Sequence, residues 1–245
     1  EQVSPPQAPR STEAMFCASC GSEHNAPPEG PCPACAGPAL LDARFVLEEA
    51  LSRGAVGITW RARRLEDGHP VAIKELAIGR MPDLKKHELF EREARVLRQL
   101  DHPGVPTLLE EFVWGVGKHQ AFYLVEELID GHTLAQELEH TRTSQDEVLE
   151  LLVELLRIVD YLHTRAPAVI HRDIKPANVM RRASGELVLV DFGAVRDMGG
   201  QGSTVAGTFG YMAPEQLRGH AGGPSDIYAL GVLAAVFLTR RSPRE

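Results

Sequence analysis

The chain has 245 residues, 43% of them hydrophobic and 24% charged, which excludes collagen-like, disordered and supercharged classes. Its formal net charge of −8 and lack of a basic tract argue against nucleic acid or an anionic membrane as a partner. No apolar run approaches the roughly 18 residues that would suggest a membrane span.

Residues 1–14 are rich in proline and small polar residues and read as a disordered tail; nothing in them resembles a signal peptide. Residues 15–38 are too few to bury a useful core. They hold all four cysteines, as Cys17-Ala-Ser-Cys20-Gly21 and Cys32-Pro-Ala-Cys35-Ala-Gly37. Two such pairs can present four thiolates to a tetrahedral Zn²⁺, whose binding would supply the missing folding free energy. The cluster resembles a zinc ribbon of structural type. The alternatives are two disulfides or a redox pair, although a redox pair normally opens a helix after a strand. His24 is a possible substitute ligand. Confinement of the cysteines to one short stretch points to a reducing, cytoplasmic setting.

The texture changes near residue 44. Residues 45–76 alternate β-branched or aliphatic runs with turn signals such as Glu66-Asp67-Gly68, the pattern of antiparallel strands. Ser52-Arg-Gly54-Ala-Val-Gly57 is either a hairpin turn or a glycine turn whose N–H groups can approach phosphate oxygens. In Val71-Ala-Ile-Lys74, strand alternation puts Ala72 and Lys74 on one face, leaving room for a flat ring beside one cation. Residues 83–100 have helical period, with Phe90, Ala94, Leu97 and Leu100 on the apolar face. Glu93 lies on that face too. It either needs a cationic partner, for which Lys74 is the natural choice, or sits at the stripe's edge and reaches solvent.

Residues 105–128 read as further strands. Ser144-x-x-Glu147 is a capping box ahead of a long helix to about His163. Short strands then surround His171-Arg-Asp173-Ile-Lys175-Pro-Ala-Asn178. Asp173 can accept a proton from a hydroxyl, and the Asn178 carbonyl can bind Mg²⁺. The buried strand Leu187–Val190 runs into Asp191-Phe-Gly193, which suits a metal ligand or a capped turn. Asp226 opens a buried apolar helix, 227–238, where a carboxylate caps well. A strand-rich half before a helix-rich half points to an α+β fold with two lobes.

The glycine turn, Val-Ala-Ile-Lys, the helix glutamate, His-Arg-Asp with Asn five on, Asp-Phe-Gly and Ala213-Pro-Glu215 occur in one order. Together they resemble the eukaryotic-type protein kinase family, in the style of its bacterial serine/threonine members. The resemblance covers 45–245, with an N-lobe over 45–127 and an incomplete C-lobe over 128–245. It implies a bilobal kinase fold, ATP and Mg²⁺ as cofactors and a protein substrate. Lys74 would hold the α- and β-phosphates and pair with Glu93. Asn178 and Asp191 would hold Mg²⁺, Asp173 would take the substrate proton, and Lys175 would contact the transferred phosphate. Ser52, Gly54, Gly57, Thr59, Ala72, Glu127 and Met180 would line the nucleotide. Leu97, His171 and Phe192 would form a stack joining the lobes, anchored by Asp226. Arg172, Ser203, Thr204 and Thr208 are the regulatory candidates: a phosphate on Ser203 or Thr204 would pair with Arg172 and order the glycine-rich segment.

The sequence departs from the family pattern at Ser52 for a glycine, Thr59 for a valine and Glu126 at the back of the adenine pocket. A register slip of one would turn Glu126 to solvent. Family members continue through further helices beyond the point where this chain stops, so Glu215 is expected without its arginine partner and 227–238 with one face bare. The rival functional readings are a silent nucleotide-binding scaffold and an adaptor that works through the ribbon, whose partner the sequence does not name.

Overall fold

The computed structural model describes residues 14–54, 57–77, 84–116, 120–197 and 206–243, except the side chains of 77, 84–90, 196 and 197. The chain forms two compact units, 1–82 with 110–128, and 83–109 with 129–245.

The first unit is built on a mixed-length antiparallel sheet. β1 (Met15–Phe16) and β2 (Glu23–His24) form a short hairpin. β3 (Phe45–Arg53), β4 (Ile58–Arg64), β5 (Pro70–Ala77), β6 (Leu108–Trp114) and β7 (Ala121–Glu127) complete the order β2-β1-β3-β4-β5-β7-β6. The β4–β5 connection turns on Gly68 at φ 72°, a conformation that glycine adopts without steric cost, and Asp67 Oδ1 accepts the His69 N–H at 2.9 Å.

Alternation buries one sheet face: Leu47, Trp60, Ala62, Val71, Ile73, Tyr123 and Val125 pack with Leu41 and Phe45. Phe45 and Leu41 are 0% exposed, so each contributes roughly 2–3 kcal/mol of apolar burial. Phe16 and Ala18 from the cysteine-rich segment pack against this cluster. β1 pairs with β3 through Phe16↔Leu47, so the segment extends the sheet instead of hanging from it as a separate bead.

The second unit is mostly helical: α1 (Leu84–Leu97), α2 (Leu134–His140), α3 (Gln145–His163), α4 (Pro214–Leu217) and α5 (Gly223–Thr239). Short strands β8 (Gly131–Thr133), β9 (Val169–Ile170), β10 (Val179–Arg182), β11 (Leu187–Leu189) and β12 (Arg196–Asp197) form a three-stranded sheet, β11-β10-β8, and the pair β12-β9. The expected box closes α3: Ser144 Oγ accepts the Glu147 N–H at 3.2 Å, and Glu147 Oε2 accepts the Ser144 N–H at 2.7 Å. The core joins Leu151, Leu155, Ile158 and Leu162 of α3 to Leu230, Leu233 and Phe237 of α5. Val96 and Leu97 of α1 belong to this core. That packing is why α1 groups with the second unit, although its place in the sequence falls within the expected N-lobe.

One expectation about the last helix changes. α5 begins at Gly223, three residues before Asp226, and the Gly222 N–H at its cap donates to Ser225 Oγ at 3.2 Å. Asp226 therefore does not cap it. Glu215 also has a local partner, since Ser225 Oγ donates to Glu215 Oε1 at 2.7 Å. The bare apolar face is present: Ile227, Tyr228 and Leu238 are 44–51% exposed.

Candidate active site and metal centre

β9 leads into the loop 171–178, which a 3₁₀ turn, Pro176–Asn178, closes. Arg172 sits at φ 69°, a conformation costly for a residue with a Cβ, of order 1 kcal/mol or more. Asp226, fully buried, holds the backbone there. Its Oδ1 accepts the Arg172 N–H at 2.8 Å and its Oδ2 accepts the His171 N–H at 3.0 Å, with His163 Nε2 at 2.9 Å from the same oxygen.

His171 is also fully buried. Its Nε2 lies 3.3 Å from the Val190 carbonyl, and its Nδ1 accepts the Asp173 N–H at 3.3 Å. One donor and one acceptor describe a neutral imidazole. Burial accordingly pushes its pKa below the ordinary 6.5, against the pull of Asp226, Asp191 and Asp173. Below pH 6.5 the unfolded chain then binds a proton that the folded chain refuses, so stability falls as pH falls through that window. Urea midpoints measured from pH 7.5 to 5 should decline below about 6.5. His171→Phe should flatten that slope in part, because His102 is lowered by burial as well. An unchanged slope would remove His171 as the cause.

Asp173 is held on three sides. Lys175 Nζ donates to Asp173 Oδ2 at 2.8 Å and to Thr208 Oγ1 at 2.7 Å. Thr208 Oγ1 donates to Asp173 Oδ1 at 2.7 Å, and Asn178 Nδ2 donates to Asp173 Oδ2 at 3.0 Å. With its amide nitrogen engaged, Asn178 has its carbonyl oxygen available to a cation. The Val190 N–H donates to the Asn178 backbone carbonyl at 2.9 Å, and the β10–β11 register Val179↔Leu189 brings Asn178 beside the end of β11. Asp191 follows directly, at φ 63° and ψ 74°, and accepts the Gly193 N–H at 3.3 Å. Phe192 is buried in the core that contains Leu97 and meets the His171 ring edge-on at 4.9 Å. The expected stack therefore forms within the second unit.

The structure adds Gln216, which the sequence reading passed over. It is 2% exposed, and its Nε2 donates to the Arg172 carbonyl at 2.6 Å and to the Ala206 carbonyl. Arg172 Nε in turn donates to the Ala194 carbonyl. The only signal was position, immediately after Ala213-Pro-Glu215. Thr208 lies inside the Asp173 cluster, where a phosphate would set like charges against that carboxylate. Ser203, Thr204 and the glycines at 199, 200 and 202 lie outside the described residues, as does the side chain of Phe90.

In the first unit, the registers Ser52↔Thr59, Thr59↔Lys74, Ala72↔Glu126 and Lys74↔Leu124 put these residues on the sheet face opposite the Trp60–Ile73 core. Glu126 is on that face, so the slip that would turn it outward does not occur. Glu127 pairs with Val71 and belongs to the other face. The Gly54 N–H donates to the Gly57 carbonyl at 2.9 Å, which closes the turn; residues 55 and 56 lie outside the described set. A Cβ on Gly57 would meet the Glu75 carbonyl oxygen at 1.8 Å, so only glycine fits. Glu93, in the second unit, is 3% exposed, which rules out the solvent-edge reading. Met180 lies on β10, opposite Val188 and Thr133.

Residues 45–245 match the family described as protein kinase domain. The chain belongs to that family. Serine/threonine-protein kinase B of Synechocystis sp. is 36% identical over 252 residues, covering 94% of this chain and 43% of the relative. Serine/threonine-protein kinase C of the same organism is 36% identical over 226 residues, covering 84% and 41%. Serine/threonine-protein kinase PknA of Mycobacterium tuberculosis is 32% identical over 210 residues, covering 83% and 48%. The chain thus spans less than half the length of these curated relatives.

Ahead of the kinase domain, the four cysteine sulfurs lie within 4.8 Å of one another, with Cys17–Cys35 and Cys20–Cys32 both at 3.8 Å. Four sulfurs about 2.3 Å from a shared ion would stand about 3.8 Å apart. A disulfide needs about 2.05 Å, and all four thiols are free. N–H groups of Ser19, Ala34 and Gly37 donate to the sulfurs of Cys17, Cys32 and Cys35 at 3.3–3.4 Å. Burial pushes the Cys17 thiol up to about 12, while hydrogen bonds from Ser22 draw Cys20 down to about 6. Thiols this close cannot all ionise without a cation among them, so the donor set fits a metal. His24 is not in the set: its Nδ1 accepts the Ala26 N–H at 3.2 Å.

Among the described residues no helix is long and apolar enough to cross a membrane.

Proposed function

We propose that the chain is a protein serine/threonine kinase, transferring the γ-phosphoryl group of ATP to a protein hydroxyl. The observation that carries the reading is the Asp173 carboxylate, fixed by Lys175, Thr208 and Asn178. A hydroxyl at Asp173 gives up its proton there as its oxygen bonds to the γ-phosphorus. The bond from that phosphorus to the bridging oxygen breaks and ADP leaves. Lys175 offers positive charge to the transferring group, and Lys74 would hold the α- and β-phosphates. Asn178 and Asp191 would hold Mg²⁺, which when bound neutralises phosphate charge. The four cysteines would hold a structural Zn²⁺. Cysteine usage favours a reducing, cytoplasmic location.

A rival reading, a silent nucleotide-binding scaffold, draws on Ser52 and on Glu126 facing the nucleotide side of the sheet. Incubation with γ-labelled ATP, Mg²⁺ and a generic protein substrate separates the two. The wild type should label the substrate and also its own segment 191–215, at Ser203 or Thr204, which Arg172 would receive. Asp191→Asn should label neither. Equal signals from both proteins would end the kinase assignment.

A further inference from the structure

The buried face of the first unit's sheet joins the cysteine cluster to the backbone at Gly54 through one side chain. Trp60 is 3% exposed on β4, and strand alternation puts it back-to-back with Thr59, which shares the Lys74 face. Three groups surround its indole. Phe16, one residue before Cys17, lies at 5.3 Å between ring centroids and 48° between planes. The Arg53 guanidinium sits over the indole at 5.6 Å, and Arg53 directly precedes Gly54 of the turn. The indole N–H donates to Glu75 Oε2 at 2.8 Å, and Glu75 is the residue after Lys74. The strand carrying Arg53 is irregular just there, with register shifts between Leu47 and Glu49 and between Ala50 and Ser52. Such bulges loosen the ladder and raise the local twist, so side-chain contacts have more to fix than in a regular hairpin.

We propose that Trp60 is a positioning residue for nucleotide binding, linking the metal-holding knuckle at Cys17 to Arg53 and Gly54 where β3 ends. Phe16 is immobilised when the cysteines are tied, and its ring closes one side of the indole. The indole then holds the Arg53 stem, and with it the backbone entering Gly54. When the knuckle is loose, Arg53 and Gly54 are held less firmly, and a triphosphate must order them at its own cost. The coupling is reciprocal: nucleotide bound at the turn tightens the hold of the cysteines on their ion. The inference rests on the kinase reading for the identity of the nucleotide.

The test uses the full chain loaded with one equivalent of Zn²⁺. Affinity for a fluorescent ATP analogue with Mg²⁺ is measured, together with the rate at which a chromogenic chelator strips the zinc. In the wild type, nucleotide should slow zinc loss, and zinc removal should weaken nucleotide binding by about fivefold. Trp60→Leu should weaken binding by a similar factor and abolish the effect of nucleotide on zinc loss. Its KM for ATP should rise while kcat stays near wild type. Trp60→Phe, which keeps a ring between Phe16 and Arg53, should recover most of the affinity. Phe16→Leu covers the case in which Trp60→Leu fails to fold, and should uncouple the two sites in the same way. A wild type that binds nucleotide with the same affinity with and without zinc overturns the coupling alone. Recovery no better in Trp60→Phe than in Trp60→Leu overturns the role of the ring. A wild type that binds no nucleotide overturns the kinase reading and this inference together.

Discussion

Asp173→Asn should lower phosphoryl transfer about 10²- to 10⁴-fold and leave nucleotide affinity within about twofold. The substitution is nearly isosteric, and the surroundings of Asp173 accept it. Oδ2 receives two donors, Lys175 Nζ and Asn178 Nδ2, so the amide must keep its oxygen on that side. Its NH₂ then faces Thr208 Oγ1, which at present donates at 2.7 Å and can turn to accept. Every bond is remade, with a neutral partner replacing a charged one, so the stability cost is about 1 kcal/mol. What is lost is the capacity to take a proton. An amide oxygen cannot serve as a base near neutral pH, and the hydroxyl must ionise without help. Single-turnover transfer from labelled ATP measures the chemical step, and analogue binding measures the nucleotide. Transfer within about threefold of wild type would mean that the proton goes elsewhere. A parallel loss of nucleotide affinity would mean that Asp173 supports the nucleotide site instead.

How much of this was legible beforehand depends on the range of the contact. The chemical residues lie in short segments whose spacing carries their meaning, so the Asp173 loop and the Asp191 turn could be read without coordinates. The Ser144 capping box is likewise a four-residue signal, and α3 starts where it predicts. Contacts between distant segments were not legible. Two-residue strands such as β1 have no period to detect, so Phe16↔Leu47 pairing left no trace in the sequence. The cysteine spacing pointed to a four-thiol cluster but could not show that its segment is sewn onto the kinase sheet. Glu126 was ambiguous because a register is a property of two strands, and only the pairing Ala72↔Glu126 decides its face. Asp226 shows a local rule losing to a tertiary one. A carboxylate before an apolar run satisfies the capping pattern, but Gly222, Pro224 and Ser225 already build the helix start. That leaves the carboxylate for the backbone of a loop more than fifty residues away in sequence.

That distinction makes Asp226→Ala the variant with the largest expected effect on stability, about 3–5 kcal/mol. A cap residue replaced by alanine costs about 1 kcal/mol, so the magnitude alone tells the two roles apart. The N–H groups of His171 and Arg172 would lose their acceptor in a fully buried place, and His163 Nε2 would lose its partner at 2.9 Å. The bonds that remain, from Gln216 Nε2 to the Arg172 carbonyl and from Arg172 Nε to the Ala194 carbonyl, leave the Arg172 N–H without the acceptor that offsets φ 69°, so the loop carrying Asp173 should relax toward a more ordinary backbone. Phosphoryl transfer should fall with stability, even at temperatures where the protein remains folded. Asp226→Asn retains one acceptor oxygen and should lose less on both measures. Ser225→Ala provides the comparison for the helix start, with a loss near 1–2 kcal/mol, since Ser225 bonds both the Gly222 N–H and Glu215. Urea denaturation of the three variants ranks them directly. If Asp226→Ala proved no worse than Ser225→Ala, the carboxylate would be only part of a helix start, and the Asp173 loop would owe its shape to something else.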